Sequence, residues 1–273
     1  MRDDRRRPAP QGRPAPQGRA KPQPQIVEEV EGQLEGRNAL TEALKSGRTI
    51  DKVFIASGEV DRGLQRLAAQ AKEAGAVVVP VDRRKLDAMS TTHAHQGVIT
   101  LAAAHEYCTI DDILEEAASR GENALIVICD ELSDPHNLGA IMRSAECAGA
   151  HGVIIPKRRS VGLTATVAKA SAGAVEYMKV ARVTNVNNAI QELKEKGVWI
   201  FGTAAEGSIP MYKADLTGPA AIVIGSEGDG MSPLVRKNCD VTVHIPMKGR
   251  ISSLNASAAA SILLYEAVRQ RLG

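Results

Sequence analysis

Asp130-Glu131-Leu132-Ser133-Asp134-Pro135-His136-Asn137-Leu138-Gly139-Ala140-Ile141-Met142-Arg143 is the stretch that decides the fold, because it joins an apolar run to an amphipathic one. Residues 124–129 predict a buried strand, and residues 138–148 predict a helix. Polar side chains are therefore concentrated where a strand ends and a helix begins, which is where open α/β sheets bind ligands. Asn137 and Arg143 are separated by less than two helical turns, so we expect one helix to direct both toward the same cleft.

The rest of the C-terminal half continues this alternation of apolar strands and helices. Continuous apolar strands separated by helices are typical of a mostly parallel sheet that is covered on both faces. We therefore predict an α/β fold for residues 121–273. The further strands are predicted at 152–155, 177–181, 198–203, 220–224 and 241–245, and the further helices at 165–171, 186–196, 232–236 and 254–271.

A smaller α/β unit is predicted at 26–105, since helical periods again alternate with β-branched runs. Residues 106–120 are interpreted as a linker and a first helix of the larger unit. The elements predicted in the smaller unit are at 39–45, 52–56, 63–74, 77–81 and 97–101.

The first 25 residues form a basic, proline-rich tail with a short internal repeat, and they contain almost nothing apolar to bury. We predict that this tail is disordered. It carries seven Lys or Arg and two Asp side chains, a net charge of +5 within a chain of net charge +2. A solubilising tail and an electrostatic arm for phosphates both fit this composition.

Composition and cysteine spacing favour a cytoplasmic protein. The 273 residues are 44% hydrophobic, yet no apolar run approaches the roughly 20 residues of a membrane span, and the N-terminal segment lacks the apolar core of a secretion signal. The four cysteines form no CxxC pair and have no metal-ligand spacing with the histidines. We expect them to be reduced thiols, and we expect no bound metal and no membrane partner.

Two further polar segments follow predicted strands. In the segment 224–232, three glycines allow the backbone to approach a ligand, although their spacing is that of neither a P-loop nor a dinucleotide fold. In the segment 245–258, Ser252 or Ser253 is expected to begin a final helix rich in small residues. Both segments would reach the same edge of a parallel sheet as Asn137.

The polar residues of these three segments suit orientation and electrostatics better than covalent attack. They include no Cys, Lys or Ser–His pair that would indicate covalent catalysis, and no cluster of metal ligands. Group transfer from a reactive cofactor is a chemistry of this kind. The residues that we assign to it are Asn137, Arg143, Glu227, Ser253 and Asn255.

Three motifs, at 134–143, 224–228 and 245–255, resemble those of the SpoU branch of the SPOUT class of RNA ribose 2′-O-methyltransferases, in the same order and at similar intervals. Glu35-Gly-Arg-Asn38 and His95-Gln-Gly-Val98 are similar to the small ribosomal-protein-like RNA-binding domain of the two-domain members. The resemblance implies S-adenosylmethionine as methyl donor, a C-terminal trefoil knot and a homodimer. Within the family, the chain looks most like the enzymes that methylate a guanosine ribose in large-subunit ribosomal RNA.

The resemblance also implies roles for individual residues. Gly225, Ile245, Met247 and Leu254 would contact the cofactor, and the five polar residues named above would form the catalytic and substrate-positioning set. We interpret the Arg143 guanidinium as an electrostatic stabiliser of developing oxyanion charge, since guanidinium groups remain protonated at neutral pH.

RNA contacts are predicted for Lys157, Arg158 and Arg159, because a site that acts on RNA needs cations nearby, and for Ser171, which lies in a segment that resembles the family. Base stacking is disfavoured, because Trp199 and Phe201 fall in a predicted core strand.

Three alternatives remain open. Members of the family that act on transfer RNA share the three motifs. An RNA-binding ribosome-assembly protein could retain the fold without catalysis. A nucleotide-dependent oxidoreductase would use a similar sheet, but it predicts a glycine-rich turn after the first strand, whereas here the glycines follow a late one.

Overall fold

The structure, a computed structural model, describes residues 32–58, 62–92, 94–103, 105–205 and 209–273. The basic tail at 1–25 and the start of the predicted smaller unit lie outside the described residues. Two separate sheets organise the described chain, one in each half.

The N-terminal unit is a four-stranded sheet in the order β1-β4-β2-β3. The β2–β3 pair is parallel and the other two pairs are antiparallel. Its helices bury a compact core around Leu40, Val53 and Leu64. The elements are β1 (Gln33–Glu35), α1 (Arg37–Lys45), β2 (Ile50–Ala56), α2 (Arg62–Glu73), β3 (Val77–Val81), α3 (Arg83–Met89) and β4 (Val98–Ala102).

The C-terminal unit is a sheet in the order β7-β6-β5-β10-β8-β11-β9, and every pairing described in it is parallel. The predicted α/β fold with a mostly parallel sheet is therefore confirmed. Its strands are β5 (Leu125–Cys129), β6 (Gly152–Pro156), β7 (Lys179–Val183), β8 (Trp199–Thr203), β9 (Ile209–Pro210), β10 (Ala220–Ile224) and β11 (Val241–His244). Its helices are α4 (Ile110–Ser119), α5 (Pro135–Cys147), α6 (Ala165–Ala170), α7 (Val186–Glu195), α8 (Pro233–Asn238) and α9 (Ala256–Leu272).

Two apolar cores, one on each face, hold this larger sheet. Strands β5, β6 and β10 are buried along their whole length, as expected for parallel strands that are covered on both sides. One core packs α5 and α9 against the sheet, and the other packs α4 and α7. The central strands are thereby fixed, and the loops that follow them are held at one edge.

Helices α5 and α9 lie side by side and are joined by side-chain hydrogen bonds at two positions along their length. Asn255, immediately before α9, donates to Asn137 at the start of α5 (2.8 Å), and the hydroxyls of Ser144 and Ser261 are hydrogen-bonded further along (2.7 Å). The two helices therefore run in the same direction with a fixed axial register.

Several details differ from the sequence predictions, and strands β1 and β9 are among the elements that were not predicted. The last helix begins at Ala256 with Asn255 as its N-cap, so neither Ser252 nor Ser253 starts it. Trp199 is 58% exposed, because it is the first residue of β8 and lies outside the core that buries Phe201. Helix α3 was not predicted, since Leu86 is the one fully buried side chain on a short helix whose other residues are exposed or, at Met89, half-buried.

Within the described ranges, no helix is long and apolar enough to cross a membrane. The same ranges contain no group of three or more His, Cys, Asp or Glu residues that could hold a metal ion.

Candidate active site

The three polar segments follow strands β5, β10 and β11, which lie close together in the sheet order. Because the strands are parallel, their carboxyl ends share one edge, where α/β proteins bind ligands. The polar segments therefore meet although the first ends at residue 143 and the second begins at residue 224.

The first segment begins α5 with a well-formed cap. Asp134 accepts a hydrogen bond from the backbone N–H of His136 (2.9 Å), and Pro135 occupies the first helical turn, where it displaces no hydrogen bond. Asn137 donates from Nδ2 to Asp134 Oδ2 (3.0 Å) and is only 6% exposed. The bond from Asn137, together with the one from His136, lowers the pKa of the Asp134 carboxyl. It therefore stays ionised and fixes the Asn137 amide.

The first and third segments are joined through two asparagines. Asn255 Nδ2 donates to Asn137 Oδ1, and Asn255 Oδ1 caps α9 by accepting from the backbone N–H groups of Ser257 (3.0 Å) and Ala258 (3.2 Å). We call Asp134, Asn137 and Asn255 the asparagine junction. Each amide in it acts as both donor and acceptor, which fixes its orientation.

The first and second segments are joined by Asp130 at the end of β5. Its backbone N–H donates to the Ile224 carbonyl (2.8 Å), and its Oδ2 accepts from the Ser232 N–H (2.7 Å). The glycine-rich loop between them closes on itself, since Ser226 and Gly230 exchange two backbone hydrogen bonds. A β-carbon at Gly225 would lie 2.1 Å from the Gly230 carbonyl carbon, so this closure requires glycine.

A cavity of about 480 Å³ opens between the second and third segments. This volume is within the range of roughly 300–1,000 Å³ that is usual for small-molecule sites. All four residues predicted to contact a cofactor line it, as do Glu227 and Ser253 from the predicted catalytic set. The predicted residues at the wall are Gly225, Glu227, Ile245, Met247, Ser253 and Leu254.

The remaining predicted catalytic residues lie elsewhere. Asn137 and Asn255 do not line the cavity, but Asn255 directly follows Leu254 of its wall and is hydrogen-bonded to Asn137. Arg143 is exposed on α5, does not line the cavity, and has no hydrogen-bond or ion-pair partner among the described residues. Arg143 and the cavity are therefore not brought together as the six-residue spacing suggested, because α5 turns Asn137 inward and Arg143 outward.

The predicted RNA contacts have four different surroundings. Arg158 is exposed, and Arg159 is paired with Glu131 (2.9 Å). Lys157 extends toward the N-terminal unit, where a β-carbon at Gly75 would lie 3.6 Å from its Nζ. Ser171 is fully buried, and its hydroxyl donates to the Ala168 carbonyl at the end of α6 (2.8 Å). The prediction for Ser171 is wrong, since a buried helix-end hydroxyl cannot contact RNA.

Sequence reasoning missed the contribution of the loop after β8. Residues 203–205 line the cavity, and Thr203 is held by a bond from its hydroxyl to the Val223 carbonyl (2.8 Å). Their signal was their place at the carboxyl end of a parallel strand, because nothing in their side chains indicates a ligand. Met231 also lines the wall, and its apolar side chain gave no indication of this either.

Two protein families match the chain. The SpoU rRNA Methylase family matches residues 124–265, and the family described as RNA 2′-O ribose methyltransferase substrate binding matches residues 33–108. YacO of Bacillus subtilis, assigned to the TrmH family of tRNA/rRNA methyltransferases, is 48% identical over 236 residues, covering 86% of this chain and 94% of its own.

This chain belongs to the SpoU/TrmH family of RNA methyltransferases.

Two solved methyltransferase structures with a similar fold contain the methyl donor AdoMet. AviRb from Streptomyces viridochromogenes, in complex with AdoMet, has a TM-score of 0.57 at 26% identity, covering 88% of this chain and 90% of its own. An AdoMet-bound rRNA methyltransferase from Sinorhizobium meliloti has the same TM-score and identity, covering 88% of each chain. The cofactor of this SpoU/TrmH enzyme is S-adenosylmethionine.

The residues of the cavity fit this cofactor. Its wall combines apolar side chains, among them Ile245 and Leu254, with the polar backbone of the loop that begins at Gly225. S-adenosylmethionine has a flat purine and a charged amino-acid group, so a site with both kinds of surface suits it. Gly225, Ile245, Met247 and Leu254 would hold it.

Proposed function

We propose that this enzyme transfers the methyl group of S-adenosylmethionine to the ribose 2′-hydroxyl of a guanosine in large-subunit ribosomal RNA, in the cytoplasm. The family that matches residues 124–265 is described as an rRNA methylase family. The family that matches residues 33–108 is described as the substrate-binding part of RNA 2′-O ribose methyltransferases. Both descriptions support the proposal.

The observation that carries the proposal is the meeting of the three polar segments at one cavity. The cavity itself is built from the second and third segments, and the asparagine junction ties the first segment to its wall. Bound S-adenosylmethionine supplies an electrophilic methyl group on a sulfonium sulfur. The polar side chains then have to orient a hydroxyl and stabilise the charge that develops on it.

Each polar residue has a role in this proposal. Glu227 and Ser253, at the cavity wall, would accept and donate hydrogen bonds to the ribose. Arg143 would stabilise the negative charge on the 2′-oxygen as its proton leaves to a substrate phosphate or to water. Asn137 and Asn255 would hold the wall in position.

We also propose a homodimer, because Arg143 is exposed outside the cavity of its own chain. A second copy docked against the α5–α9 face would bring the partner subunit's Arg143 to a cavity that the chain's own Arg143 does not line. Ile262 and Tyr265, exposed on α9, would supply apolar contact area there. Variants Arg143→Ala and Glu227→Ala, inactive alone, should regain part of the activity when mixed, since one cavity of the mixed dimer then has both groups.

A C-terminal trefoil knot is part of the proposal. Strand β10 lies between β5 and β8, and the chain after β11 returns past the loops that follow β8 and β10 to pack α9 on α5. This return path supports threading of the last segment. We further propose that the N-terminal unit is the RNA-binding domain of ribosomal-protein-like type.

The test is methylation of total RNA in vitro with labelled S-adenosylmethionine, followed by mapping of ribose methylation in the products. We expect label in large-subunit ribosomal RNA at a guanosine 2′-oxygen. Label confined to transfer RNA would replace the rRNA assignment by the tRNA alternative. RNA binding without any transfer would support the assembly-factor alternative.

Arg143→Ala tests the catalytic assignment. We expect turnover to fall by on the order of 10²-fold or more, as for removal of an oxyanion donor, with unchanged affinity for S-adenosylmethionine by calorimetry. Arg158→Ala, another exposed cation, is the matched control and should mainly weaken RNA binding. Full activity of Arg143→Ala would refute the role.

A further inference from the structure

A buried ion pair joins the two units of the chain. Arg182 Nη1, on edge strand β7 of the large sheet, lies 2.7 Å from Oδ1 of Asp51, on β2 of the small sheet. Arg182 Nη2 also donates to the Asp51 backbone carbonyl (3.0 Å), across 131 residues of sequence. Both side chains are only 6% exposed. Two charges are thus withdrawn from water at the boundary between the units.

Tyr107, in the segment that connects the units, completes this contact. Its hydroxyl donates to Asp51 Oδ1 (2.8 Å) and accepts from the backbone N–H of Leu163 (2.9 Å). The Arg182 guanidinium carbon lies 5.2 Å from the centre of its ring, within cation–π range. Burial and the nearby Asp51 carboxylate raise the pKa of Tyr107, so the hydroxyl remains a donor.

The fit around the carboxylate is tight. A β-carbon at Gly162 would lie 2.2 Å from Asp51 Oδ2 and 2.9 Å from the Tyr107 oxygen, so only a glycine leaves room for both. We call Asp51, Tyr107, Gly162 and Arg182 the interdomain cluster. The connecting segment is also fixed nearby, since the Cys108 N–H donates to Val180 on the free edge of β7 (2.9 Å).

The interdomain cluster is a costly way to obtain stability. Asp51 Oδ2 and Arg182 Nε are both buried without a hydrogen-bond partner. Removing two charges from water costs about as much as their attraction returns, so net stability does not account for this buried pair. An apolar contact would tolerate sliding or rotation. An ion pair does not, because any other orientation leaves two buried charges unpaired.

We propose that the interdomain cluster fixes the orientation of the N-terminal unit on the methyltransferase unit, so that RNA held by the first is delivered in register to the cavity of the second. Asp51, Tyr107 and Arg182 are positioning residues for the methyl transfer. The delivery step rests on the proposed function, whereas the fixed orientation does not.

The orientation is tested by the distance distribution between spin labels at exposed Arg66 and Glu195, introduced as unnatural amino acids in the full chain. We expect one narrow distribution in the otherwise unmodified protein and a broad one in Arg182→Met. The charge exchange Asp51→Arg/Arg182→Asp restores a pair of opposite charges and should partly narrow the distance distribution again. Tyr107→Phe, which keeps the ring, should broaden it less.

Lys194→Met is the matched control. It removes an ion pair of the same length, Lys194 Nζ to Asp240 Oδ1 (2.7 Å), but one that lies within the C-terminal unit. We expect its distance distribution to stay narrow. A narrow distribution in Arg182→Met, or equal broadening in Lys194→Met, would overturn the proposal.

The delivery step is tested by kinetics on structured RNA. In Arg182→Met we expect kcat/KM for RNA to fall by on the order of 10- to 100-fold, as for a misplaced substrate, with the affinity for S-adenosylmethionine unchanged by calorimetry. Unchanged kcat/KM with a broadened distribution would refute delivery while leaving the fixed orientation intact. A wild-type chain that methylates no RNA would refute the proposed function and leave the distance experiment valid.

Discussion

The asparagine junction and the interdomain cluster both tie together segments more than a hundred residues apart, but they use opposite chemistry. In the asparagine junction, Asn137 and Asn255 are neutral, and the hydrogen bonds of their amides continue to Asp134 and the start of α9. In the interdomain cluster, Asp51 and Arg182 are charged, and each leaves a buried polar atom unpaired. A network whose amides are all hydrogen-bonded strengthens a wall, whereas a buried ion pair with unpaired polar atoms discriminates between arrangements.

The largest expected effect comes from separating the charges. Asp51→Leu leaves the Arg182 guanidinium buried without a counter-charge, and we expect a loss of about 3–5 kcal/mol in the free energy of unfolding, measured by urea titration. The double variant Asp51→Leu/Arg182→Met should recover most of this loss, because no charge then remains buried. It should nevertheless keep a broad interdomain distance distribution. A narrow one would show that shape alone fixes the units.

A smaller effect is expected at the asparagine junction. Asn255→Ala removes the cap of α9 and the bond to Asn137, and we expect a loss of about 2 kcal/mol in unfolding free energy together with weaker binding of S-adenosylmethionine. Asn255→Asp is the informative comparison, since its carboxylate can still cap α9 but has no N–H group to donate to Asn137. Equal effects in the two variants would show that the bond to Asn137 dominates.

The two sites should also respond to acid with opposite sign. Hydrogen bonds from Asn137 and His136 lower the pKa of Asp134, so its stabilising contribution is complete above the ordinary carboxyl pKa and is lost as pH falls through the lowered value. Burial raises the pKa of Asp51 against the opposing charge of Arg182, so ionising it costs stability that returns as pH falls through the raised value.

Urea titrations between neutral pH and pH 3 check these signs. The stability difference between the wild-type chain and Asp134→Asn should shrink on acidification. For Asp51→Asn, the wild-type chain should gain relative to the variant over the same change. Parallel trends would contradict the contrast between the two sites.

The smallest effect is expected at an exposed ion pair between two residues of the same helix. Lys45 and Glu42, on α1, are 3.0 Å apart with side chains 67% and 72% exposed. Lys45→Gln should change the unfolding free energy by about 0.5 kcal/mol or less, because solvent screens the pair. A change comparable to that of Asp51→Leu would mean that burial is not what distinguishes the interdomain cluster.

The sequence predicted the larger unit well because its helices and strands are strongly periodic. Strand β10 lies at its predicted bounds, and α5 was found because polar cap residues precede an amphipathic run. The order of the strands in the sheet could not be predicted, because it depends on how the crossover connections join the parallel strands, and no local sequence pattern encodes this. The knot entered through family resemblance alone.

Parts of the site could not be predicted for similar reasons. The outward position of Arg143 depends on how α5 is rotated by its packing, and the burial of Ser171 depends on the end of α6. The sequence does place charged residues, Asp51 and Arg182, within strands that are otherwise largely apolar. Their pairing required the arrangement of both sheets.

The two hydrogen bonds between α5 and α9 have a consequence for the coupling between the two ligands. Leu254 lines the cavity, the next residue holds α5 through Asn137, and six residues further along α5 lies Arg143. If this segment shifted when the cavity filled, the two hydrogen-bonded helices would carry the shift to the surface that bears the Arg143 guanidinium. Thermodynamic linkage then requires reciprocity. If bound S-adenosylmethionine changes the affinity for RNA by some factor, bound RNA changes the affinity for S-adenosylmethionine by the same factor.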